Sequence, residues 1–204
     1  MMKRKQKSKR LIIAVALILL VAISIGYAGL STTLTINGTA NIAATSWNVH
    51  FENVQVTSGS VSVDENTTAP AVAAGNTTTT ALSYAVTLNK PGDFYEFTVD
   101  VVNGGTVNAK IAEENGITKT IKVGDADLSE AQAKLVNYTV TYADGTAIEA
   151  GNTLAKNDNQ TGGADIRTVK VRVEYNPNIT AEELNAVNGD LSLNLTFGVN
   201  YVQD

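Results

Sequence analysis

A single histidine, His50, stands in a chain that has no cysteine. An imidazole base or ligand could therefore come from that one position. A zinc protease site of the HExxH kind needs two histidines on one helix face, so it cannot be assembled. A serine nucleophile would need an elbow of the GxSxG type and a base, and the elbow is missing. The lack of cysteine removes disulfides, thiolate metal sites and thiol nucleophiles. His50 falls on the polar parity of an apolar alternation, which predicts a surface position. Two carboxylate pairs, Asp64-Glu65 and Glu113-Glu114, lie between apolar runs, where solvation accounts for them. Asp125, Asp127 and Glu130 have the oxygen chemistry of a calcium loop but not the EF-hand spacing. Asp127 with Glu130 is better read as a helix cap. No catalytic group, cofactor or metal site is expected, and the chain reads as non-enzymatic.

The elements that would hold any site begin with an export signal. Lys3 to Arg10 is strongly basic, and Leu11 to Ala28 is an uncharged, predominantly apolar run with small residues at its end. Gly26 and Ala28 would occupy the two small-residue subsites of a signal peptidase cutting before Gly29. An uncleaved signal-anchor is the alternative, because the run is long enough to span a bilayer. Both versions leave the N-terminus cytoplasmic and the body outside. Residues 1–28 are thus a signal peptide or signal-anchor, and 29–204 a single domain.

Six of the fifteen Lys and Arg lie in that leader, so residues 29–204 carry nine against twenty Asp and Glu, a net charge of −11. An acidic body argues against nucleic acid and against an anionic membrane surface, leaving membrane contact to the N-terminal segment. With 44% hydrophobic and 17% charged residues, the composition suits a folded domain.

Period-2 alternation runs through nearly the whole body. Leu34, Ile36, Ala40 and Ile42 share one face of a first strand. Trp47, Val49 and Phe51 continue as a second, and the changed parity of Val54 and Val56 predicts a bulge near Glu52 and Asn53. Further strands carry Leu82 to Leu88, Tyr95 to Val101, Val107 to Ile111, Ile121 and Val123, Val136 to Tyr142, and Val169 to Tyr175. The last run is Leu191 to Tyr201. Pro91-Gly92 suits a tight turn, Asp144-Gly145 a type I′ hairpin, and Gly104-Gly105 another hairpin closure. DLSE at 127–130 and TAEE at 180–183 have capping-box spacing and predict two short connecting helices. The segments 63–80 and 157–165 read as surface loops, the first of them mobile. The expected fold is all-β, an immunoglobulin-like or jelly-roll β-sandwich with two short helices and an N-terminal signal or transmembrane helix.

The stretch KPGDFYEFTVDVVNGGTVNAKI, Lys90 to Ile111, resembles a segment of TasA/camelysin-like secreted proteins. Its features are the turn Pro91, Gly92 and Asp93, a long strand, the turn at Asn103 and Gly105, and a following strand with the small residue Ala109. The leader, followed at once by a strand-forming segment, is similar to that family's as well. The resemblance implies a jelly-roll protein of the bacterial cell surface or biofilm matrix, processed by a dedicated signal peptidase, with some members forming fibres. A protease activity described for camelysin finds no residues here to carry it. No LPxTG-type signal occurs, so sortase attachment is not expected.

Two functions follow as expectations. In one, exported subunits self-associate into fibres, each lending Thr33 to Ile42, with its face of Leu34, Ile36, Ala40 and Ile42, to a neighbour's sheet edge. No charge interrupts Gly29 to Phe51, so that segment lacks the usual edge-protecting Lys and Glu. In the other, a membrane-displayed sandwich acts as an adhesin or ligand-binding module through its loops, among which Phe94 stands next to a turn.

Overall fold

A computed structural model describes residues 15–19, 45–73, 75–76, 78–157, 163–185 and 191–204. The chain divides into two units, Met1–Ala43 and Ala44–Asp204. Of the first, residues 15–19 are described, and they are helical and exposed.

Among the described residues of the second unit eleven strands occur in the order β1 (Val49–Val56), β2 (Ala81–Leu88), β3 (Phe94–Asn103), β4 (Ala109–Ile111), β5 (Ile117–Val123), β6 (Ala126–Asp127), β7 (Val136–Tyr142), β8 (Thr153–Leu154), β9 (Ile166–Tyr175), β10 (Leu191–Val199) and β11 (Tyr201–Gln203). Among the same residues two short helices, α1 (Glu130–Leu135) and α2 (Ala181–Asn185), lie in connections. The strands form a sheet β1-β3-β9-β7, a second sheet β2-β10-β5-β6 and a small third sheet β11-β4-β8. Every ladder between these strands is antiparallel.

Alternation explains the two larger sheets. In β3, Tyr95, Phe97, Val99 and Val101 are fully buried while their neighbours are half-exposed. In β10, Leu191, Leu193, Leu195, Phe197 and Val199 are buried in the same way. These faces meet, and aromatic rings join the sheets: Phe51 stacks on Phe197 at 5.6 Å, and Tyr84 meets Phe97 edge-on at 5.1 Å. Ring pairs of this geometry add to burial through their quadrupoles. The body is therefore a mostly antiparallel, sandwich-like β structure.

Several expectations hold at residue level. The β1–β3 register shifts between Glu52 and Gln55, with Asn53 at φ 54, so a bulge accounts for the parity change. Pro91 and Gly92 are the central residues of a turn in which Asp93 N donates to Lys90 O at 3.0 Å. Gly92 has φ 90, the left-handed value that a type II turn demands at that position. Thr180 and Glu183 form the predicted reciprocal box, Glu183 N donating to Thr180 Oγ1 and Thr180 N to Glu183 Oε2.

Other expectations are corrected. Trp47 lies before β1 rather than in it and is 48% exposed. Val107 precedes β4. Asp144 has no positive φ, so its turn is not type I′. Gly145 N instead bonds Tyr142 O, and Tyr142 N bonds Thr146 O around a left-handed Gly145, a type I turn with a G1 bulge. The capping box before α1 is Ser129 with Gln132, not Asp127 with Glu130. Both spacings exist in DLSEAQ, and the pairing of Asp127 with Lys122 in the β5–β6 hairpin selects the second. The segment after Val63 is not loose: Thr67 is buried, its hydroxyl accepts from Thr87 N, and Thr68 exchanges both backbone bonds with Ala85.

Gly104-Gly105 closes no hairpin, because β3 and β4 belong to different sheets. The chain runs on beside residues 46–48 instead. Gly104 N donates to Asn48 O at 2.7 Å, and Thr106 N to Ser46 O at 3.0 Å. Glycine is required here for closeness, since a Cβ on Gly104 would stand 2.6 Å from Asn48 Nδ2 and one on Gly105 2.6 Å from Ser46 O.

Candidate functional site

Gly26, Ala28 and Gly29, and the face Leu34, Ile36, Ala40 and Ile42, lie outside the described residues. Among the described residues no helix is long and apolar enough to cross a membrane. The turn and strand positions of the central segment are all described, and the structure gives most of them a mechanical role. Asp93 reaches back with Oδ2 to accept from Asn89 N at 2.9 Å and Lys90 N at 3.1 Å, fastening the turn before β3. Ala109 is fully buried in β4.

Asn103 ends β3 with its side chain at 0% exposure. Its Nδ2 donates to Val107 O and Ala155 O, both at 2.9 Å, and its Oδ1 accepts from Gly105 N at 3.0 Å. The amide thus uses both donors and its acceptor inside the protein. It clamps the exit of β3 to the segment after β8, and Gly105 takes part through its backbone. From sequence this residue looks like a turn former. The signal that it is a clamp lies in tertiary contacts alone.

His50 corrects its predicted surface position, being 7% exposed. Its Nδ1 lies 2.9 Å from Asn48 Oδ1, and its Nε2 3.6 Å from Glu52 Oε2. Both neighbours share its face of the edge, but only the Asn48 contact is within hydrogen-bond distance. Among the described residues no serine hydroxyl is bonded to the ring, and its contacts are to side chains of its own strand and the residues just before it. Among the described residues no group of three or more His, Cys, Asp or Glu could hold a metal ion. Asp127 is an exposed strand residue. Phe94 is covered rather than displayed, with the Arg172 guanidinium 3.8 Å above its ring and bridged to Glu96 and Glu174.

The sheet edges differ more than the sequence foretells. Just before β1, the even residues Asn48 and Ser46 accept from the chain that continues β3, so the odd residues at the start of β1 turn their backbone outward. Phe51 N there bonds Thr79 O, and Phe51 O accepts from Asn76 Nδ2. Val49, one step nearer the chain's start, has no outward backbone partner among the described residues. No charged residue lies in 45–51.

The far side of the sandwich carries a guard. At the two ends of β7 the bonds Asn176 N to Leu135 O and Ala143 N to Thr168 O set the phase, so Tyr138 O points away from β9. Lys119 of β5 pairs with Phe197 and therefore sits on the core-facing parity, yet it is exposed. Its ammonium lies 3.5 Å from Tyr138 O and 6.0 Å from the centre of the Tyr138 ring. The β6 strand covers only Lys122 and Val123, so the rest of β5 is also an edge. One inward-pointing lysine thus occupies the gap between two sheet edges, a known obstacle to strand addition. The signal for it was present in sequence: a Lys interrupting the parity of Ile117, Ile121 and Val123.

Beside that gap, Tyr84 Oη donates to Tyr138 Oη at 3.2 Å, which donates to Thr196 O at 3.2 Å. Burial pushes the Tyr138 phenol up to about 12, the bond from Tyr84 opposing it. Tyr84 is raised further, by burial first and then by Tyr138.

No protein-family model, curated protein or solved structure matches the chain.

Proposed function

We propose that this chain is a non-enzymatic, exported subunit of a bacterial cell surface or extracellular matrix, and that it self-associates into fibres by β-strand addition. Its leader directs it across the cytoplasmic membrane and is cut by a signal peptidase before Gly29 or kept as an anchor. Its body is a sandwich of the immunoglobulin or jelly-roll kind. The observation that carries the reading is the asymmetry of the edges. The uncharged residues 45–51 lead into the edge strand β1, where Val49 has no outward partner among the described residues, while Lys119 stands at the opposite side. An edge open at Val49 and preceded in the sequence by an uncharged alternating segment supports assembly through that segment.

Deleting Gly29 to Ile42 tests it. Assembly by lending leaves a folded, soluble remainder that forms no fibres by electron microscopy and binds a synthetic peptide of the deleted residues. A strand that pairs within its own sandwich leaves a remainder that melts far lower. A folded remainder without affinity for the peptide refutes strand addition.

The alternative is a displayed binding module. It is favoured by a concavity of about 630 Å³ on the outer face of β2, β10 and β5, lined by Ser83, Thr120, Lys122, Asn194 and Thr196 among others. Dispersed monomers in secreted material would support this reading over the first.

A further inference from the structure

Four Asn-Gly pairs occur in the sequence, and two of them, Asn103-Gly104 and Asn115-Gly116, lie among the described residues. The pair is chemically weak because glycine puts no side chain in the way of its own backbone nitrogen, which can attack the preceding side-chain amide. The fold treats the two pairs in opposite ways. Asn103 is fully buried, its amide is held by three hydrogen bonds, and Gly104 N donates to Asn48 O at 2.7 Å. Asn115 is exposed in the turn between β4 and β5, and its side chain has no hydrogen-bond partner among the described residues. Its backbone is left-handed, φ 53, a conformation that Asn tolerates better than other residues with a side chain. Gly116 cannot be exchanged for a safer residue, because a Cβ there would collide with Ala112 O and Ile111 Cγ2. Local geometry thus retains both members of a reactive pair.

We propose that Asn115-Gly116 is a site of spontaneous deamidation that alters the junction beside it. The Gly116 nitrogen forms a bond to Asn115 Cγ, the Cγ–Nδ2 bond breaks, and ammonia leaves with the proton lost from the backbone. Water then opens the resulting five-membered imide at either carbonyl, giving aspartate or isoaspartate at position 115. The product adds a negative charge beside Glu113 and Glu114, and isoaspartate lengthens the main chain by one carbon. That lengthening falls between two residues that grip Asn200: Ala112 N donates to Asn200 O at 2.9 Å, and Asn200 N donates to Gly116 O at 2.7 Å. Asn200 joins β10 to β11, so the change loosens the seam between the second and third sheets.

The test is incubation of the full chain in warm, mildly alkaline buffer, followed by peptide mass mapping and enzymatic isoaspartate labelling. In the folded chain Asn115 is expected to convert at least about tenfold faster than Asn103, which must first open locally. In urea the two rates should approach each other. Asn115→Gly, which suits the left-handed backbone, should abolish conversion in that peptide without changing the melting temperature. Equal rates in the folded chain, or an unconverted Asn115, would overturn the proposal. Hydrogen exchange at the Asn200 amide should quicken in converted protein, and unchanged exchange would overturn the claim about the seam.

Discussion

Replacing Asn103 by alanine removes a side chain that is fully buried and bonded at all three of its positions used here. The carbonyls of Val107 and Ala155 and the Gly105 amide would each lose a partner. A buried polar group left unsatisfied costs about 1–3 kcal/mol, though water entering the vacated space can recover part of it. Three such groups therefore set an expected loss of about 3–5 kcal/mol, near the lower end of the sum because of that recovery. With a urea slope of about 2 kcal/mol per molar, the unfolding midpoint should fall by about 1.5–2.5 M. Circular dichroism in a urea titration of the full chain is the assay. Asn108→Ala serves as control, since its exposed side chain accepts one bond, from Lys156 N at 3.0 Å. That change should cost about 1 kcal/mol or less. Asn103→Asp should be no milder than alanine, because a carboxylate would face two carbonyl oxygens. A loss below about 1.5 kcal/mol for Asn103→Ala at unchanged slope would refute the clamp, since it falls under the cost of even two orphaned groups.

Three further outcomes are expected. The Tyr95 hydroxyl is buried without a partner among the described residues, so Tyr95→Phe should leave stability unchanged or raise it by up to about 1 kcal/mol; a clear fall in thermal midpoint would reveal a hidden partner. Lys119→Val should change stability by no more than about 0.5 kcal/mol yet promote lateral association of the chain lacking Gly29 to Ile42. Light scattering unchanged by that substitution would remove Lys119 as a guard. Tyr138 titrates in the folded state at about 12, above its unfolded value, so the unfolded chain loses the proton first. Stability is then intact below about pH 10 and declines as pH rises from there toward 12, and Tyr138→Phe should flatten the decline seen in alkaline denaturation curves.

Strand identity was legible because one face of each long strand is buried and side chains alternate with period 2, so Tyr95 to Val101 and Leu191 to Val199 announce their own inward faces. Pro91-Gly92 and Thr180-Glu183 were legible for a local reason: the first is set by φ preferences, the second by contacts three residues apart. Where two local solutions compete, tertiary pairing decides. DLSEAQ holds two capping boxes, and the register of Lys122 with Asp127 chooses between them. The Asp144-Gly145 dipeptide fits more than one turn, and the bonds of Tyr142 to Gly145 and Thr146 choose among those. Sheet membership was beyond local reading, because the partners of β3 and β4 lie far along the chain and a glycine pair looks the same whether it reverses the chain or lets two backbones approach. Inward faces and tight turns are thus encoded by neighbouring residues, and the parity of Lys119 as well, whereas the Asn103 clamp, the burial of His50 and the partner that Lys119 meets at Tyr138 depend on segments far apart in the chain.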